Sequence, residues 1–361
     1  MARRLIYSLA IILALAVPAA SARAQDVATG DLIGPAASQY TVVAGDTLAT
    51  IARQNHIGYV ELLSANPSLI STTIHPGQIL TLPTQHLVPH LPGGDHAGVV
   101  VNLAALRLYH FGDGGQVATY PISVGKEGWD TPTGDTKIIE KRKDPNWTVP
   151  ASIRAQDAKL PAVVPAGPDN PLGQYAMTLG WPGYLIHGTN HPYSIGRPSS
   201  HGCMRLYPED IQALFGQSAV GDVVTVIDTP MTLGQSGGNL YLQVTPTRVQ
   251  AKEIAGFSIP DPLDENDPTV TELKTRLATL VTEGVHIDDA AVVGAIFRYD
   301  GMPVIIARGL PSGLAAQTLH PAASHLASVQ TSAPQPLASA QAPVPQQSQS
   351  FGATIVHALL H

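Results

Sequence analysis

Hydrophobic and polar positions alternate in short runs over most of this chain, and only a few stretches carry helical spacing. Tyr40-Thr41-Val42-Val43 alternates as a strand, and Ala44-Gly45-Asp46 turns it. Leu48, Ile51 and Ala52 fall at helical spacing, as do Val60, Leu62 and Leu63 after Ile57. Asn66-Pro67 breaks the second helix, and Ile74-His75-Pro76-Gly77-Gln78 turns into a closing strand, Ile79–Leu82. Residues 40–84 are therefore a small β-α-α-β unit, and the Pro- and Gly-bearing stretch 85–96 is a linker with solvated histidines His86, His90 and His96. From residue 97 to 228 short apolar runs dominate: Val99–Asn102, Leu106–Phe111, Val117–Val124, Thr136–Glu140, Gln174–Leu179, Tyr184–His187 and Asp222–Ile227 predict strands, with a helix at Pro208–Leu214. Residues 229–310 form a small α/β appendage: a strand at Asn239–Val244, a helix at Val270–Thr282 and a hairpin over Phe297–Ala307 turning at Asp300-Gly301. The chain is mainly β.

The two ends read differently. Arg3 and Arg4 precede an apolar run from Leu5 to Val17, Pro18 breaks it, and Ala22-Arg23-Ala24 fits a small-x-small cleavage site. Residues 1–24 are a secretory signal peptide by this pattern, with a retained membrane anchor as the alternative. Residues 25–39 are a short leader. Residues 311–361 are Ala, Pro, Gln and Ser with hardly any charge and predict a disordered tail, ending in an apolar Phe351–His361. The composition agrees with turn-rich β structure: 33 Gly and 31 Pro, but only 13% charged and 5% aromatic residues. Removing Arg3, Arg4 and Arg23 takes the formal charge from −7 to −10, and no basic run with interleaved aromatics exists, which excludes nucleic acid as a partner.

Candidate chemistry gathers at one place. Cys203 is the only cysteine, and an odd cysteine in an exported chain is an intermolecular link, a buried apolar residue or a reactive thiol. Its surroundings, Tyr184 to Leu206, read YLIHGTNHPYSIGRPSSHGCMRL, polar and glycine-rich rather than core-like. A thiol beside histidines suggests a nucleophile with an imidazole base, and glycines around it let the Gly202 and Cys203 amides face a developing oxyanion. A zinc site from His187, His191, His201 and Cys203 is the rival, although the spacing fits no common zinc motif.

Two resemblances sharpen this. YTVVAGDTLATIARQNHIGYVELLSANP and IHPGQILTLP resemble a LysM module, which implies binding of the N-acetylglucosamine-containing glycan of peptidoglycan near Gly45, Asp46, Thr47, Pro76 and Gly77. VVNLAALRLYHF, YPISVGKEGWDTPTG, DPNWTVP, GPDNPLGQYAMTLG, IHGTN and SHGCMRL resemble the catalytic domain of the L,D-transpeptidases, the YkuD family, in the Gram-negative branch that attaches lipoprotein to peptidoglycan. That resemblance implies a β-sandwich catalytic domain without metal or cofactor. It implies Cys203 as nucleophile and His187 as proton acceptor and donor, with Gly188 and Thr189 positioning it. His201 would shape the pocket, Ser200 and Gly202 fix the turn, and Arg205 meet a substrate carboxylate. It further implies a periplasmic enzyme acting on tetrapeptide stems, with an outer-membrane lipoprotein or a second stem as acceptor.

Overall fold

The computed structural model describes residues 25–26, 31–69, 73–91, 98–112, 115–157 and 159–310. The segments read as signal peptide, 1–24, and tail, 311–361, lie outside them, as does His96. No helix among the described residues is long and apolar enough to cross a membrane.

The N-terminal unit runs β1 (Ser38–Thr41), α1 (Leu48–Gln54), α2 (Tyr59–Ser64), β2 (Ile79–Leu82). β1 and β2 pair antiparallel, Tyr40 opposite Leu80. Thr47 starts α1 with a capping box, its hydroxyl accepting from the Thr50 amide and the Thr50 hydroxyl accepting from its own.

The central unit is a mixed sheet with a small two-stranded pair beside it. Its strands are β3 (Gly98–Asn102), β4 (Arg107–Phe111), β5 (Gln116–Pro121), β6 (Val124–Gly125), β7 (Gly134–Lys143), β8 (Tyr175–Leu179), β9 (Leu185–His187), β10 (Pro198–Ser200), β11 (Met204–Arg205) and β12 (Val223–Ile227). The order is Gln25–Asp26, β5, β4, β3, β12, β7, β8, β9, β11, while β6 and β10 form a separate parallel pair. The pairs β3–β12 and β9–β11 are parallel. Residues from both halves of the sheet, Val99, Val101 and Tyr120 on one side and Met177, Ile186 and Met204 on the other, bury into one core, as they must when a strongly twisted sheet curls over itself. Helix α3 (Pro208–Gln217) has Pro208 at its first position with Glu209 and Asp210 in its first turn.

The appendage carries an antiparallel sheet of β13 (Met231–Ser236), β14 (Asn239–Val244) and β15 (Val304–Arg308) with helices α4 (Arg248–Ala255), α5 (Pro268–Thr282) and α6 (Asp289–Arg298). The hairpin expected over Phe297–Ala307 is instead the end of α6, a turn and the edge strand β15. Asp288 caps α6 through the Ala291 amide, and Val292, Ala295 and Ile296 bury at helical spacing. Tyr299 then ends the helix in the left-handed region at φ 34°.

The linker expectation is also corrected. His86-Leu87 pairs with Leu32-Ile33, and Val88 and Leu91 bury with Ile33, Val100 and Tyr109 against the outer face of the sheet. His86 is 1% exposed. His90 Nε2 sits 2.8 Å from Asp31 Oδ1. Apolar Leu87, Val88 and Leu91 give this stretch more free energy packed than solvated, so neither described histidine is a solvated linker residue. The N-terminal unit shares the central core as well: Ile51, Ile57, Val60 and Leu62 bury in the same cluster as Val101, Leu206 and Ile211.

Candidate active site

Strand alternation sets the site. In the parallel pair β9–β11, Ile186 lies opposite Met204 and His187 opposite Arg205. Ile186 and Met204 are fully buried in the core, so the pleat turns Leu185, His187, Cys203 and Arg205 to the other face together. The Leu206 amide donates to the His187 carbonyl at 2.9 Å and continues the ladder. His187 and Cys203, 16 positions apart in sequence, thus lie at the end of β9 and just before the neighbouring β11.

His187 is 3% exposed. Its Nδ1 lies 2.7 Å from the Gly188 carbonyl, and a carbonyl can only accept, so Nδ1 carries the proton and Nε2 keeps a lone pair. The Leu172 carbonyl also hydrogen-bonds the ring. Burial, aided by the Arg205 charge, brings the imidazole down to about 3 against the pull of those two carbonyls. The ring is a neutral base at neutral pH.

Burial pushes the Cys203 thiol up; the backbone hydrogen bond from Leu185 and the Arg205 charge pull it down and lose. Its Sγ lies 3.6 Å from the Gly183 carbonyl. Both groups therefore rest uncharged, the cysteine as thiol and the histidine as imidazole. Arg205 faces both: desolvation lowers its own pKa, and its Nε finds no hydrogen-bond partner among the described residues.

The turn before Cys203 is held from inside. Fully buried Ser200 donates through Oγ to the Cys203 carbonyl at 2.6 Å and accepts from the Gly202 amide at 3.1 Å. The Gly202 amide is therefore committed to Ser200, which corrects its expected part in an oxyanion site. Gly202 has φ +100°, and a Cβ there would stand 2.9 Å from Tyr184 Cε1, so this position requires glycine. Thr131 Oγ1 donates to the Gly202 carbonyl at 2.8 Å and accepts from Gly125 at 3.0 Å. The His201 ring meets Trp129 edge-on at 4.8 Å, and burial with the Lys126 and Arg205 charges lowers its pKa. Gly188 packs where a Cβ would meet Ile211 Cγ2 at 3.1 Å, and buried Thr189 accepts the His191 amide at 2.9 Å.

The structure also brings in residues not singled out from the sequence. Asn170 is fully buried; its Nδ2 donates to the Pro145 carbonyl at 2.8 Å and its Oδ1 accepts from Leu172 at 2.9 Å, setting the Leu172 carbonyl against His187. The Asp-Asn-Pro run in a Gly/Pro loop was the available signal. Loop 126–131 is tied to the appendage: Arg248 bridges Asp130 and Asp228, each at 2.8 Å, and Lys252 pairs with Glu127. The His191 ring of the zinc alternative lies tilted at 58° to that of Tyr193, whose hydroxyl lies 3.0 Å from its Nδ1.

In the N-terminal unit Asp46 Oδ2 accepts from the Tyr40 hydroxyl and the Val43 amide, both at 2.8 Å. Gly45 and Gly77 have φ +93° and +86° with open space where a Cβ would be, and Val43 and Ile79 beside them are exposed.

Family models match twice: the YkuD model, described as the L,D-transpeptidase catalytic domain, over residues 96–226, and the LysM domain over 40–83. A protein of Escherichia coli named a probable L,D-transpeptidase, YcfS, is 41% identical over 318 residues, 84% of this chain and 93% of its own. The chain belongs to the L,D-transpeptidase family. A second Escherichia coli relative, named the probable L,D-transpeptidase YbiS, is 35% identical over 73% of this chain and 85% of its own length. Salmonella typhimurium ErfK/SrfK, likewise named a probable L,D-transpeptidase, is 35% identical over 73% and 84%. A crystal structure of an Enterococcus faecium L,D-transpeptidase overlaps 37% of this chain and 50% of that chain at 22% identity and a TM-score of 0.29, too little to add to the assignment. The chain is thus an L,D-transpeptidase with a LysM domain before the catalytic domain, and the pairing implies peptidoglycan as the polymer it engages.

Proposed function

We propose that this L,D-transpeptidase works outside the cytoplasmic membrane, in the periplasm, through Cys203 and His187. The thiol attacks the carbonyl of diaminopimelate at position 3 of a tetrapeptide stem, and His187 Nε2 takes its proton as the S–C bond forms. The C–N bond to the terminal D-alanine then breaks, and His187 returns the proton to the departing amine. The thioester keeps the energy of the cleaved bond, so no nucleotide is consumed. An acceptor amine next gives its proton to His187 and forms the new C–N bond; as the C–S bond breaks, His187 returns that proton to the departing sulfur and the thiol is restored. A diaminopimelate amine of a second stem gives a 3→3 cross-link, and a lipoprotein lysine gives covalent anchoring. Water as acceptor gives plain carboxypeptidase action.

The observation that carries this reading is the parallel β9–β11 register, which turns Cys203, His187 and Arg205 to one face, with the His187 ring tied through Nδ1. Arg205, whose Nε lacks a partner among the described residues, suits a stem carboxylate. With the Gly202 amide engaged, the oxyanion falls to the Cys203 amide. Gly45, Asp46, Thr47, Pro76 and Gly77 would offer the glycan its groove, raising the local concentration of stems.

Purified enzyme incubated with disaccharide-tetrapeptide, with and without an acceptor amine, tests this by mass spectrometry. Loss of D-alanine with dimer or amine adduct supports the transferase, and tripeptide alone supports the hydrolase. Full activity in Cys203→Ala would overturn both.

A further inference from the structure

We infer that the LysM domain is a positioning element of the catalytic site, not only an anchor to the polymer, because it grips the segment bearing Cys203 on both sides. This rests on the reading of Cys203 and His187 given above.

Upstream, the first turn of α2 lies on the loop between His187 and Cys203. The Tyr59 and Val60 amides donate to the Ile195 and Gly196 carbonyls at 3.3 and 3.0 Å. These are helix-terminal donors with no partner inside α2, so the loop supplies what the helix lacks. Contact leaves no room for a side chain: Gly196 has φ +76°, and a Cβ there would stand 2.1 Å from Tyr59 N and 2.3 Å from Gly58 Cα. The Arg197 guanidinium stacks 3.4 Å from the Tyr59 ring centroid, and Ile195 is fully buried. From there the connection to the thiol is short. Pro198–Ser200 pairs with Val124–Gly125, and Ser200 holds the Cys203 carbonyl and the Gly202 amide.

Downstream, the segment leaving Cys203 meets the same domain. The Tyr207 hydroxyl donates to the Ile57 carbonyl at 3.3 Å, Arg53 pairs with Glu209 at 2.8 Å, and His56 Nδ1 lies 3.0 Å from Asp210 Oδ1. Gly196 lies seven residues before Cys203 and Glu209 six after. A tether needs none of this; a part of the active-site wall does.

A free tetrapeptide stem without glycan separates the two roles, since an anchor has nothing to hold there. The test compares full-length wild type with Tyr59→Ala, Arg197→Ala and Tyr59→Phe, reading D-alanine release. Small displacements of a reacting group lower rates steeply. Tyr59→Ala and Arg197→Ala are therefore expected to lower kcat by about ten- to a hundredfold, with KM for the stem nearly unchanged. Tyr59→Phe keeps the ring and the wild-type kcat. If Tyr59→Ala melts below the assay temperature, Arg197→Ala, which removes only a side chain, decides alone. Wild-type kcat in the alanine variants on the free stem, with losses confined to intact peptidoglycan, overturns the inference and leaves the reaction standing. A wild-type enzyme inactive on the stem would instead overturn the reaction itself.

Discussion

Glu61 is the residue whose removal reports most directly on the seam between the LysM and catalytic domains. It caps α2 by accepting from the Gly58 amide at 2.7 Å, and its carboxylate takes both oxygens to Arg107 Nη1 of β4, at 3.1 and 2.9 Å. The two side chains are only 10% and 3% exposed. His86 Nδ1 stands 3.3 Å from Glu61 Oε1, and burial with the Arg107 charge drives that imidazole well below its ordinary value, so it is neutral. Glu61→Ala would leave the Arg107 guanidinium buried with, among the described residues, only its bond to Thr119 Oγ1 at 3.0 Å. Removing one partner of a buried ion pair costs about 3–5 kcal/mol, whatever the pair itself contributes. At about 2–4 °C per kcal/mol for a unit of 150–250 residues, the melting temperature should fall by roughly 6–20 °C. Differential scanning calorimetry of wild type, Glu61→Ala and Glu61→Ala/Arg107→Leu measures this. The double variant should recover part of the loss, because it leaves no orphaned charge. A fall below about 1 kcal/mol, the range of exposed pairs, would mean water reaches the seam and would refute a continuous core.

Three further outcomes follow from the site. Because burial raises the Cys203 thiol, its alkylation by iodoacetamide should still climb steeply between pH 7 and 9; a plateau already reached below pH 7 would indicate a thiolate–imidazolium pair instead. His187 is held at about 3, below its ordinary 6.5, so the unfolded chain binds its proton first as pH falls. That contribution to stability is complete above pH 6.5 and is lost towards pH 3, by about 2 kcal/mol at pH 5. Burial raises Glu61 and Asp210, which act with the opposite sign, so the test is the difference in urea midpoint between wild type and His187→Gln at pH 7.5 and 5. Asn170→Ala removes the bonds to Pro145 and Leu172 and should cost about 2–3 kcal/mol in urea unfolding; it should also lower kcat, because Leu172 backs His187.

Much of the site was legible because its motifs lie in short contiguous runs. His187 closes a strand, Cys203 immediately precedes the next, and both sit among glycines whose backbone requirements show in the sequence. The expected strands of the central unit appear with shifts of one to three residues at their ends. What the residue pattern does not show depends on tertiary contacts. The stretch after Leu82 carries Pro and Gly like a linker, but three apolar side chains and two histidines find partners contributed by Asp31, Ile33 and Glu61. Helix α6 was hidden because Phe297 and the Asp300-Gly301 turn imitate a hairpin, while the N-cap Asp288 that would have identified it lies at its other end. The commitment of the Gly202 amide to Ser200 is a matter of one rotamer, which no pattern of residue types encodes. The welding of the LysM domain is equally silent, since Gly58 and Gly196 each look like ordinary turn glycines.

Those two glycines have an evolutionary consequence. Gly58 carries no side chain because Gly196 Cα approaches to 3.0 Å of where its Cβ would be, and Gly196 because Gly58 and Tyr59 fill its own space. They are one steric requirement divided between two modules. Exchange of the LysM domain for another would break it unless both halves moved together. Across descendants of this arrangement the two positions should change in concert, and the module should be inherited with its catalytic partner rather than shuffled independently.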